Sequence, residues 1–322
     1  MTATGAGWSS ENPLPDSILA DPEPTRARYP DDEGWVADDQ GVRVFYEVYG
    51  DSSDTVCMLP PWALLTSRMW RFQIPYLARH FRVIAIDPRG NGRSDRPPRR
   101  EAYSRAAHVR DVIAVLDAVG AESAMMVSAS PRAALLLALC VEHPERVRAA
   151  VFITPQLWIE EGFVRPFISS PRERYDGMNK MNPHYWRQDY RGFVEWFARW
   201  TASYPHSTRL AEETVRHGLE TDAETLIYAT TGFGMYAREE ALRLAREEVR
   251  CPVLVTQNGG QAKYPKHTSG PLAKATGGRL HVFEGLGPVV FARWPVTMNI
   301  VLRQFFEDVR SGAISGRAAA RT

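Results

Sequence analysis

Residues 124–141, AMMVSASPRAALLLALCV, decide the fold. Ala124 to Val127 is a short apolar run of strand length, and Pro131 to Val141 is apolar on all sides, as a helix buried behind a sheet would be. Between them stands Ser128-Ala129-Ser130-Pro131-Arg132, a sharp strand-to-helix turn with a hydroxyl at its tip. Upstream, Val42 to Val48 alternates like a strand, with Tyr49-Gly50-Asp51 as a turn, and Thr55 to Leu59 is an apolar run stopped by Pro60-Pro61. Ser67 to Phe81 reads as a helix leading into the strand Val83 to Ile86. Ser104 to Val119 reads as a second helix, with Ser104 as N-cap and Gly120 just past its end. Ala149 to Ile153 is the next strand. Strands alternating with helices at this spacing predict right-handed crossovers and a mostly parallel sheet covered on both faces.

The alternation stops at residue 157. Residues 157–247 carry no strand signal and read as helical. It resumes with the strand Val253 to Val255, a helix at residues 268–275, the strand Leu280 to Phe283 and a last helix from Pro295 to Val309. The organisation expected is an N-terminal extension (1–33), a doubly wound core in two parts (34–156 and 248–310), a helical cap inserted between them (157–247) and a frayed tail (311–322). The first 33 residues hold five prolines and no apolar core of a signal peptide.

Composition narrows function by exclusion. Of 322 residues, 44% are hydrophobic and 24% charged, ordinary for a globular chain. Thirty-nine basic against 38 acidic side chains leave +1, which gives no electrostatic footprint for nucleic acid or anionic lipid. Only four of the basic residues are lysines, a bias expected of a GC-rich genome. Cys57, Cys140 and Cys251 lack paired spacing and predict buried thiols in a reducing cytoplasm. No run of 18 apolar residues suggests a membrane span. No metal, flavin, nucleotide or phosphate-loop signature implies a cofactor.

The order of elements, together with Ile86-Asp87-Pro88-Arg89-Gly90-Asn91-Gly92-Arg93-Ser94-Asp95, His143-Pro144-Glu145-Arg146-Val147 and the turn at Ser130, resembles the α/β-hydrolase superfamily. The resemblance spans Gly34 to Val309. Residues 187–193 (RQDYRGF) and His206-Ser207-Thr208 resemble a group of actinobacterial members. It implies an α/β-hydrolase fold and a catalytic Ser, acid and His in that order, with two backbone N–H donors for an oxyanion.

Each implied element can be checked by position. Ser130 holds the nucleophile position, but the elbow reads S-A-S-P-R where glycines are favoured. The residue after it, Pro131, has no N–H, and losing one such donor costs roughly 2.7–4 kcal/mol of transition-state stabilisation. The other donor would come from Trp62, after Pro60-Pro61. The acid position falls on Gln261, which cannot carry charge. The histidine position, within Gly285-Leu286-Gly287-Pro288, holds proline, and no histidine follows His281. The ordinary triad is therefore expected to be lost, leaving Ser130 a poor nucleophile.

His184, His206 and His217 in the insertion and His267 after the loop at Gln261 could each reach a cleft roofed by the cap, and His184 and His267 are the candidates for a displaced base. His80, His108, His143 and His281 read as structural or surface residues, and Asp87, Arg89 and Asp95 as loop structure. Trp186, Tyr190, Phe193, Phe197, Trp200 and Tyr204 recur at spacings of three and four, one helical face. That face packs on the core or lines an aromatic pocket, and Tyr185 and Trp196 lie off it. Arg132, beside the unpaired N–H groups of a helix terminus, either favours an anion in the cleft or turns outward to solvent.

Trp62, Arg132, Tyr185, Trp186 and Gln261 are the expected substrate contacts, and the expected partner is a small aromatic, partly anionic molecule. Nothing points to nucleic acid or membrane. The sequence favours a non-hydrolytic enzyme of specialised metabolism, making or eliminating C–C or C–O bonds on a bulky aromatic or polycyclic substrate. The alternatives are a hydrolase with a displaced base and water as nucleophile, and a binding protein that has kept only the cleft.

Overall fold

A computed structural model describes residues 28–158, 170–204, 206–259, 268–284 and 289–316. Eight strands form one sheet: β1 (Asp32–Ala37), β2 (Arg43–Tyr49), β3 (Thr55–Met58), β4 (Arg82–Ile86), β5 (Ala124–Ala129), β6 (Val147–Ile153), β7 (Val253–Asn258) and β8 (Arg279–Phe283). Their spatial order is β1-β2-β4-β3-β5-β6-β7-β8. From β4 to β8 every pairing is parallel, and only the β1–β2 and β2–β4 pairings are antiparallel. This is the α/β-hydrolase fold that the sequence implies.

The parallel strands are short apolar runs because helices cover both faces. On one face lie α2 (Arg105–Ala118), α3 (Ala133–Glu142), α8 (Arg238–Glu247) and α9 (Ser269–Thr276). Leu135, Leu136, Leu137 and Leu139 of α3 have no exposed surface, which explains a helix apolar on every side. On the other face lie α1 (Ile74–Leu77), α10 (Val290–Arg293) and α11 (Pro295–Arg310), where Phe305 and Phe306 join Phe81 and Val83. The Ser104 hydroxyl caps α2 by accepting from the Ala107 N–H at 3.3 Å, and Gly120 beyond its end has φ +66°. Cys57 and Cys140 are buried and Cys251 half-buried, all unlinked.

The local structure departs from expectation at two places. Residues 67–81 are not one helix but a 3₁₀ turn, Ser67–Trp70, followed by the single turn of α1. Pro75 has no N–H to continue the ladder from Arg71, so the helix restarts there. The strand β1 was not legible, because its opening Asp32-Glu33-Gly34 is turn-like and the strand is half exposed at the sheet edge.

Between β6 and β7 stand α4 (Pro183–Gln188), α5 (Tyr190–Thr201), α6 (Thr208–Gly218) and α7 (Ala223–Thr231), with α8 after them. The first four share a cluster with Ala63, Leu64, Ala102 and Tyr103 of the core. Helix α8, placed in the cap by sequence, packs instead through Ala241 and Ala245 with α3 and α9. Among the described residues no helix is long and apolar enough to cross a membrane.

Candidate active site

The carboxyl ends of β3, β5, β6 and β7 lie side by side in the sheet, the edge at which open parallel sheets bind ligands. Ser130 stands at the end of β5. Its φ is +51°, the left-handed region, between an extended Ala129 and a 3₁₀ turn over Ser130–Arg132 that runs into α3. Its carbonyl accepts from the N–H groups of Ala133 and Gln156, the latter at 3.0 Å, which pins the turn. A non-glycine residue held at positive φ stores about 1–3 kcal/mol. Proline in the next position adds restriction, since it pushes its predecessor toward extended backbone. The fold keeps a strained serine here although two glycine positions of the ordinary elbow are absent.

The turn after β3 carries Pro60-Pro61-Trp62 against this elbow. Arg132 ties the two together: its Nε donates to the Pro61 carbonyl at 3.2 Å. Neither expectation for Arg132, a cation facing the cleft or an arginine turned to solvent, describes it, because the residue is 2% exposed. Its guanidinium lies 4.1 Å above the Phe233 ring, and burial lowers its pKa to about 9, which leaves it charged at neutral pH.

Trp62 is half-buried. Its indole N–H donates to the Thr230 hydroxyl at 2.9 Å, and its ring meets Trp186 (centroids 6.2 Å apart) and Phe197 (5.5 Å). The turn after β3 thus touches the helices between β6 and β7 through aromatic contacts. The aromatic run on those helices is divided at Asp189, where α4 ends and α5 begins. Trp186 and Phe193 have no exposed surface, and the Trp186 N–H donates to the Lys180 carbonyl at 2.9 Å. Trp186 is therefore an interior residue of the helical layer and not a wall open to a ligand. Tyr185 stacks on Tyr175 (5.2 Å), and its hydroxyl donates to Asp189 at 3.2 Å. Trp196, also off the stripe, stacks on Trp200 at 5.9 Å.

His184 is half-buried at the start of α4, where its backbone N–H donates to the Asn182 side chain at 2.9 Å. Among the described residues no hydrogen bond joins the Ser130 hydroxyl to a histidine. Gln261 and His267, in the segment between β7 and α9, lie outside the described residues, as does the turn at Gly285 to Pro288. No group of three or more His, Cys, Asp or Glu side chains among the described residues is placed to hold a metal ion.

Asp87 accepts from the N–H groups of Ser67 (2.9 Å) and Arg93 (3.0 Å), and Arg89 is paired with Asp111 and Asp38. Both hold the loop after β4 in shape. Sequence reasoning missed Phe233 and the inward side of His108. The signal for the second was present: a histidine on the apolar face of an amphipathic helix.

Comparison with known proteins bears on this geometry. Residues 54–261 match the family model described as the alpha/beta hydrolase fold. The chain belongs to this family. Among curated proteins it is 34% identical over 119 residues to bifunctional epoxide hydrolase 2 of Sus scrofa, a match covering 36% of this chain and 21% of that protein. It is 43% identical over 84 residues to 2-hydroxymuconate semialdehyde hydrolase of a Pseudomonas strain, covering 26% of this chain and 29% of that one. These matches span less than a third of the relatives' own length. Among solved structures, an N-acyl homoserine lactone degrading enzyme superposes with a TM-score of 0.67 at 25% identity, covering 84% of this chain and all of its own. Both curated relatives are named hydrolases. The expectation of non-hydrolytic, bond-forming chemistry in specialised metabolism is thereby overturned, and the relatives' names favour the hydrolytic alternative.

Proposed function

We propose that this protein is a hydrolase of small carbonyl substrates, esters or lactones, in which water is the attacking nucleophile and Ser130 serves the oxyanion. The observation that carries the reading is the left-handed φ of +51° at Ser130, strain kept at the site where the family performs its chemistry. The sequence supplies no histidine at Pro288 and no carboxylate at Gln261, so the serine lacks the partners that would activate it. A hydroxyl at this place can instead donate to a developing oxyanion, replacing the N–H that Pro131 does not have. The N–H of Trp62, on the turn that Arg132 ties to the elbow, is the second donor.

The base is His267, carried by the segment between the end of β7 and α9. It takes a proton from water as the water oxygen bonds to the carbonyl carbon. The tetrahedral oxyanion then collapses, the carbon–oxygen bond to the leaving group breaks, and the imidazolium returns its proton to the departing oxygen. Half-buried Trp62, Phe197 and Trp200 favour an aromatic or otherwise flat acyl or alcohol portion.

Turnover of a panel of aryl esters and aryl lactones tests the reading. Ser130→Ala lowers kcat by about 10²–10³-fold, the usual cost of one oxyanion donor, without abolishing turnover. His267→Ala lowers it to the background of uncatalysed hydrolysis. A His267→Ala variant with wild-type turnover would remove the assigned base.

A further inference from the structure

Two of the three cysteines share one place in the fold. Cys140 lies in the last turn of α3 with 1% of its surface exposed, and Cys251 is half-buried between α8 and β7. The Pro252 carbonyl accepts from the Ala150 N–H at 3.0 Å, so Cys251 stands at the foot of β6, the strand into which the chain turns after α3. Cys251 packs against the apolar cluster that contains Cys140, and the two thiols are within hydrogen-bonding reach of each other. Cys57 in β3 is the contrast: burial alone pushes its thiol up to about 12.

A single buried cysteine is only a small apolar side chain. Two sulfurs in reach of each other, one of them accessible from solvent, are also a pair that an oxidant can join. We propose that Cys140 and Cys251 form an oxidisable dithiol, which peroxide closes into a disulfide that ties α3 to the start of β7.

Cys251 meets the oxidant, because Cys140 is enclosed. Its thiolate attacks one peroxide oxygen, the O–O bond breaks, and Cys251 becomes a sulfenic acid as hydroxide leaves. The neighbouring Cys251 sulfur and burial keep Cys140 protonated in the reduced chain, well above the ordinary thiol range. The Cys140 sulfur then displaces the sulfenic hydroxyl and gives its proton to the departing oxygen, so water leaves as the S–S bond forms. Two thiols lose two electrons to one peroxide, and the products are one disulfide and two waters. The bond closes a loop running from residue 141 to residue 250, which contains β6, the helices α4 to α7, and α8. Closing so long a loop removes entropy from the unfolded chain, which stabilises the folded one. The dithiol uses no group of the proposed hydrolytic site and is independent of that reading.

Peptide mapping of the full chain after hydrogen peroxide treatment, with thiols blocked by N-ethylmaleimide and no reductant present, tests it directly. The expected result is a peptide pair cross-linked through Cys140 and Cys251, with Cys57 still a thiol and both sulfurs recovered by dithiothreitol. Cys251 carried on to sulfinic acid with Cys140 still a thiol, or joined only to a second chain, would overturn the proposal. The cross-linked chain should melt about 5 °C above the reduced one. Peroxide-treated Cys251→Ser, which shares any methionine oxidation, should show no such rise. The same change of Tm in both proteins would overturn the clamp.

Discussion

At the scale of the residue, Ser130 carries the most consequence. Its backbone is held at φ +51°, followed by a proline that opposes this conformation. Glycine reaches the same φ without a steric penalty. Ser130→Gly should therefore raise unfolding stability by up to about 1 kcal/mol in urea titrations while depressing ester turnover as Ser130→Ala does. Unchanged turnover with unchanged stability would mean that the conformation is neither strained nor used. Much of this residue-level picture was legible: Ser130, Pro131 and Trp62 follow from position in the strand-turn-helix pattern. The direction of Arg132 was not, because a helix-terminal arginine can lie in a cleft, in solvent or under the neighbouring turn. Only packing against Phe233, 101 positions later in the chain, selects the third.

At the scale of the element, the helices between β6 and β7 show how periodicity misleads. The aromatics from Trp186 to Tyr204 keep helical spacing, yet the helix is broken at Asp189, which ends α4 and caps α5 by accepting from the Gly192 N–H at 2.8 Å. An aspartate followed three residues later by glycine, inside an apolar stripe, was the available sign of a restart. Removing that acceptor in Asp189→Ala should cost about 0.5–2 kcal/mol of stability by denaturant titration. It should also loosen Tyr185, whose hydroxyl donates to the same carboxylate. A loss below the error of the titration would show that water replaces the cap freely. The boundary of the helical layer failed for a related reason. Helix α8 is amphipathic whichever layer it faces, and its small apolar residues, Ala241 and Ala245, gave no sign that they seat against α3 and α9.

At the scale of the whole molecule, the alternation of strands and helices was enough to fix the sheet, its mostly parallel sense and the position of the elbow. Edge strand β1, half exposed and opened by acidic residues, lay below what alternation can reveal. Among the described residues, two histidines are buried in the neutral form. His108 and His217 both have pKa values held well below the ordinary 6.5, chiefly by burial and further by nearby arginines, Arg132 for the first and Arg68 for the second. The unfolded chain binds protons at these sites as pH falls below about 6.5 while the folded one does not, so stability should be full above that value and fall beneath it. Each histidine contributes a slope of up to about 1.4 kcal/mol per pH unit in that window. His217→Asn should make the acid limb shallower in pH-dependent melts. The same slope with and without the histidine would show that it is already solvated in the folded state.

The central claim is that the family's fold here hydrolyses carbonyl substrates without an acyl-enzyme at Ser130. Intact-mass spectrometry of the protein, acid-quenched during turnover of an aryl ester, tests it most directly. The account predicts product accumulation with the protein at its unmodified mass throughout, and no stoichiometric labelling of Ser130 by a fluorophosphonate. An acyl adduct mapped to Ser130, or no hydrolysis of any ester or lactone in the panel, would contradict it.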